Sequence, residues 1–120
     1  MIRAAGAEAP AAPRITLSGV ADYYLVRQSR GPAWDHSRLR REQARWDEHA
    51  AFMDALAREG VVILGGPIGE GDGDDALLVV RVESEAAIRA RLADDPWMNE
   101  VLTIKSVEPW TVWLRAPGVG

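Results

Sequence analysis

The chain has 120 residues, 48% hydrophobic and 27% charged, with a mean hydropathy of −0.14; this is the make-up of one ordinary globular domain and excludes a repeat array. Lys and Arg number 14 against 18 Asp and Glu, a formal charge of −4, so neither nucleic acid nor an anionic membrane is an expected partner. The absence of cysteine excludes disulfides, thiolate metal sites and Cys nucleophiles, and it fits a reducing cytoplasmic location.

Residues 1–21 are rich in Ala, Pro and Gly and are interrupted by Arg3, Glu8 and Arg14. They lack the apolar run of about 7–15 residues that a signal peptide needs, and they read as a flexible leader that can be removed with little loss of stability. No later run approaches the roughly 20 apolar residues that span a bilayer. A first strand is predicted over Asp22 to Gln28, ending in the breaker cluster Ser29-Arg30-Gly31-Pro32. From Ser37 to Glu59 the pattern is helical: Leu39, Trp46, His49, Ala50, Met53, Leu56 and Ala57 share one face, and Gly60 ends the run. Val61 to Ile68 and Ala76 to Val82 predict two strands joined by a hairpin, with Asp72, Asp74 and Asp75 as its solvated tip. Ser84 is the N-cap of a second predicted helix reaching about Ala93, with Ile88 and Leu92 inward and Glu85 to Arg89 as a surface pair. Leu102 to Val107 alternates as a final strand, and beyond Pro109 an edge-like extension runs from Trp110 to Leu114.

The resulting order, βαββαβ, predicts an α+β, ferredoxin-like sandwich with both helices on one face of an antiparallel sheet. The runs Val61 to Leu64 and Leu77 to Val80 are apolar on both pleat faces, where a half-solvated sheet would alternate. A second copy of the chain is the simplest cover for the bare face, so a homodimer is expected.

Three stretches carry a family resemblance: WDEHAAFMDALAREGVVILGGPIGEGDG (Trp46 to Gly73), ADDPWMNE (Ala93 to Glu100) and EPWTVWL (Glu108 to Leu114). Together they resemble the YCII-related (YciI-like) family over about residues 22–115, leaving residues 116–120 as a tail. The resemblance implies a ferredoxin-like fold that pairs into a dimeric α/β barrel. It also implies a proposed active-site dyad: a His in the first helix and an Asp in a D-P-aromatic motif, which fall on His49 and Asp95. It does not supply a substrate.

The residues also have plainer readings. His49, on the apolar stripe, is either a core histidine satisfied by one hydrogen bond or a general base, since only His titrates unperturbed near working pH. Asp95 before Pro96 is either an N-cap with Pro at the first helical position or the carboxylate that orients His49. Antiparallel helices in this topology bring the end of the second beside the first half of the first, within reach of His49. Glu42 is a weaker second carboxylate, expected in solvent. Trp46 and Trp97 neighbour the dyad in sequence and, with Met53 and Pro67, are the expected small-molecule-binding residues, favouring a flat or aromatic ligand. Trp110 and Trp113 are expected in packing or a dimer contact.

Gly65 to Gly73 lacks the Lys-Ser/Thr ending and following helix of a phosphate loop, and Asp72, Asp74 and Asp75 lack calcium-loop spacing. His36 and His49, 13 residues apart, match no metal pair, and His36 is expected in solvent. Neither metal nor cofactor is expected. The sequence thus predicts a cofactor-independent enzyme in which His49 and Asp95 move a proton on a small, aromatic or enolisable substrate, in an elimination, isomerisation or cyclisation. The alternative is a non-catalytic dimeric ligand-binding or accessory protein.

Overall fold

A computed structural model describes residues 21–119; the leader expected over residues 1–21 lies, apart from Ala21, outside the described residues. The elements are β1 (Tyr23–Arg30), a short 3-10 turn (Arg40–Glu42), α1 (Trp46–Arg58), β2 (Val62–Ile68), β3 (Asp75–Val80), α2 (Glu85–Leu92) and β4 (Leu102–Trp110). The four strands form one antiparallel sheet in the order β2-β3-β1-β4, compatible with the ferredoxin-like expectation. Among the described residues no helix is long and apolar enough to cross a membrane.

Both helices cover the same sheet face, because their inward residues share one core with it. Leu56 of α1 and Ile88 and Leu92 of α2 pack with Val26, Val62, Leu78 and Val80. The pleat then separates two sets of side chains on the central strands. Val26, Gln28, Ala76, Leu78 and Val80 are buried on the helix side, whereas Leu25, Leu77 and Val79 are only partly covered. On β2, Leu64 pairs with Val79 and is 64% exposed.

Two elements differ from the sequence expectation. The first helix begins at Trp46 rather than Ser37, because Arg45 takes a left-handed backbone (φ 63°) that no helix can propagate through. Leu39, counted on the helix face, is 60% exposed in the preceding loop. At the other end β4 runs through Pro109 to Trp110, and the extension expected to Leu114 is not a strand. β4 is an edge strand, where a residue without an N–H is tolerated.

The helix ends follow local chemistry. Ser84 caps α2 by accepting from the Ala87 N–H at 3.1 Å. Gly60, at φ 79°, closes α1 with its N–H donating to the Ala57 carbonyl. The hairpin between β2 and β3 turns on Gly73, at φ 68°; a Cβ there would lie 2.4 Å from the Ile68 carbonyl oxygen.

That hairpin tip is not simply solvated, as expected, but latched. The Asp72 carboxylate accepts from the Arg40 backbone N–H at 2.6 Å. Arg30 donates to the Gly73 carbonyl at 3.1 Å, and Asp75 takes both Arg27 at 3.5 Å and Lys105 at 3.4 Å. The tip therefore holds the loop after β1 against the sheet edge.

Candidate functional site

A second apolar cluster, Trp34, Trp97, Val101 and Leu102, with Trp46 packed against it, sits where the loop after β1 meets the segment between α2 and β4. Backbone bonds tie the two: the Gly31 N–H donates to the Val101 carbonyl and the Ala33 N–H to the Glu100 carbonyl, each at 2.8 Å. Any side chain at Gly31 would collide with the Glu100 carbonyl oxygen, 2.4 Å from an ideal Cβ. This cluster is the floor on which the candidate site stands.

Asp95 follows α2 in a tight turn. Its N–H donates to the Leu92 carbonyl at 3.0 Å, and its own carbonyl accepts from the Met98 N–H at 2.9 Å. Its carboxylate accepts from the Trp97 backbone N–H at 2.9 Å, but no helix follows Pro96, so Asp95 closes a side-chain turn where the sequence reading had an N-cap. The same carboxylate also reaches α1: the His49 Nδ1 lies 3.0 Å from Oδ1 and 2.9 Å from Oδ2. One carboxylate thus joins the two: the turn fixes it in place, and it fixes the imidazole. The Asp95 side chain is wholly buried and that of His49 is 10% exposed.

A carboxylate can only accept, so the neutral ring donates from Nδ1 and keeps its lone pair on Nε2. Among the described residues Nε2 has no hydrogen-bond partner. The ring plane is fixed as well. Trp97 stacks on His49 with ring centroids 4.0 Å apart and planes 6° from parallel, and Trp97 is itself held by its indole N–H donating to the Ala44 carbonyl at 2.8 Å. Position, tautomer and plane of the imidazole are therefore all set by neighbours.

His49 lines a cleft of about 270 Å³ between α1 and the helix side of the sheet. Of the residues expected to meet a ligand, Trp46, Met53 and Pro67 line it with His49. Trp97 does not; it is fully buried and stacked behind the imidazole. Glu42 stands apart from the dyad, its carboxylate accepting from the Leu39 N–H in the 3-10 turn. Trp113 is 87% exposed, Trp110 packs on Tyr23 at 6.1 Å, and His36 is exposed. Among the described residues no three His, Asp or Glu side chains gather as a metal would require.

Two buried polar lining residues escaped the sequence reading. Gln28 and Arg40 both border the cleft and are only 1% and 6% exposed. Gln28 carried a readable signal, since alternation along β1 puts it on the same face as Val26. Arg40 carried none: it opens the short 3-10 turn after the loop, where the Asp72 latch, the Gly73 carbonyl and the Trp34 ring, 5.1 Å from its guanidinium, hold it inward.

Neither a curated protein nor a solved structure matches the chain. The family model of the YCII-related domain matches residues 23–111, which takes in every strand up to Trp110, both helices and both members of the dyad, so the chain belongs to the YCII-related domain family.

Proposed function

We propose that this protein is an enzyme that uses His49 as a general base and acid, without a cofactor, on a small organic molecule held in the cleft. The observation that carries the reading is the buried Asp95–His49 pair with Nε2 left unpartnered. In the proposed step Nε2 takes a proton from an activated C–H or O–H of the substrate. The imidazolium so formed is stabilised by the Asp95 carboxylate at Nδ1, and Nε2 returns the proton to the leaving group or to another carbon. Elimination, isomerisation and cyclisation all need only this movement. The apolar lining and the adjoining Trp46 suit a flat or enolisable body.

The test is to expose the pure protein to a metabolite mixture and analyse it by mass spectrometry. The expected outcome is a compound consumed by the wild type and bound but not consumed by His49→Ala. A compound bound by the wild type and never consumed would make the protein a binding or accessory module.

The open sheet face supports a second part of the proposal, that two copies pair sheet to sheet as the barrel of the family implies. Leu25, Leu64, Leu77 and Val79 form an apolar patch there, a kind of surface that soluble monomers seldom leave uncovered. The lack of cysteine fits work in the cytoplasm.

A further inference from the structure

Arg40 is a buried cation whose guanidinium is not ion-paired. Its guanidinium donates only to the Asp72 and Gly73 carbonyls, at the long distances of 3.5 and 3.4 Å, and lies over the Trp34 ring at 5.1 Å. The nearby Asp72 carboxylate is engaged with the Arg40 backbone N–H instead. Among the described residues no carboxylate lies within ion-pairing distance of this guanidinium. Burial holds Arg40 below its ordinary value; the charges of Asp72 and Asp75 offset this in part, and Arg30 adds to it. The Arg40 Nε–H and the Gln28 side-chain N–H₂ are both buried with no hydrogen-bond partner. The Arg30 Nε–H and the Trp34 indole N–H are unpartnered too, but only Gln28 and Arg40 line the cleft; a buried donor or charge left unsatisfied is costly, and an acceptor entering the cleft would relieve these two.

The remaining lining decides what that acceptor is. One guanidinium and one neutral amide suit a single negative charge with two oxygens, which Arg binds through its planar fork. The exposed Asp54 also borders the cleft and weighs against a multiply charged phosphate. Leu78 and Leu102 complete an apolar wall. We propose that Arg40 and Gln28 form a carboxylate-binding subsite, so that the molecule presented to His49 is a small monocarboxylic acid whose body lies against Met53, Leu78 and Leu102. This rests on the reading of the cleft as a ligand site, but it does not require His49 to be catalytic.

The experiment is an NMR titration of the full chain with benzoate and, in parallel, with its neutral isostere benzamide. The expected result is saturable shifts of the Gln28 side-chain N–H₂, the Arg40 Nε–H and the His49 ring with benzoate. Benzamide should bind more weakly by ten- to a hundredfold, on the order of a charged hydrogen bond. Arg40→Gln should remove that preference, whereas His49→Ala should retain it. The wild-type comparison alone keeps the test decisive if Arg40→Gln does not fold. Equal binding of the two probes, or a benzoate preference that survives in folded Arg40→Gln, overturns the subsite and leaves His49 chemistry standing. Absence of any shift at Gln28 and Arg40 overturns it too, while loss of turnover in His49→Ala remains the separate measure of the proton-transfer role.

Discussion

The His49 Nδ1 sits almost equidistant from the two Asp95 carboxylate oxygens, at 3.0 and 2.9 Å, although 46 residues separate the pair in the chain. Asp95 thus sets the tautomer of an imidazole whose other nitrogen has no hydrogen-bond partner among the described residues. Asp95→Asn keeps the volume and an acceptor for the Trp97 N–H but can present an N–H₂ to Nδ1. The expected outcome is a larger share of the tautomer protonated at Nε2, seen in ¹⁵N shifts of the ring, and a loss of about 10²–10⁴ in turnover. An unchanged tautomer with unchanged turnover in the folded variant would make Asp95 a turn residue alone.

Trp97 links the floor of the site to the imidazole by stacking and to the turn before α1 through the Ala44 carbonyl. Trp97→Ala should cost about 3–5 kcal/mol of stability, as for other buried aromatic truncations. Trp97→Phe retains a ring but loses the bond to Ala44, a net cost of about 1 kcal/mol. Thermal and denaturant unfolding of the two variants measures both. A drop in turnover of Trp97→Phe beyond any loss of ligand affinity would mark the stack as setting the His49 plane.

Val79 lies on the open face, opposite Leu25 on β1 and Leu64 on β2. Val79→Lys places a charge in the middle of the patch without touching the helix-side core. Analytical ultracentrifugation should give twice the 13.1 kDa chain mass for the wild type and a single chain for the variant. A wild type that sediments as one chain at all concentrations overturns the pairing.

The Tyr23 hydroxyl is held below the ordinary phenol range: burial alone pushes it up, and hydrogen bonds and charges from Arg81 and Arg115 outweigh that. An acid lowered in the folded state adds stability that is complete above its unfolded value near 10 and gone below its folded value. Tyr23 therefore contributes nothing of this kind at neutral pH, and its contribution grows as pH rises toward about 10. Ultraviolet difference titration should show an early phenolate phase that Tyr23→Phe removes; an identical titration in the variant counts against the arginine pair.

Periodicity, caps and breakers determined the element order, because they act within a few residues: the apolar stripe of α1, the Ser84 cap and the Gly60 stop are local facts that appear where the sequence puts them. The D-P-W turn was legible for the same reason, and with the family resemblance it singled out His49 and Asp95. What the chain alone did not disclose lay in the irregular loop after β1. There Arg45 adopts a left-handed backbone that halts the helix short of Leu39, and a hydrogen bond to Asp72, 32 residues away, turns Arg40 into the cleft. The same holds for Trp97, whose place behind the imidazole instead of in the cleft depends on the Ala44 carbonyl 53 residues earlier. Loops have no repeating pattern to read, and their side chains point where distant hydrogen bonds and packing send them. The dyad could therefore be named from the sequence, while the inward turn of Arg40 is decided by the contact between the hairpin tip and the loop.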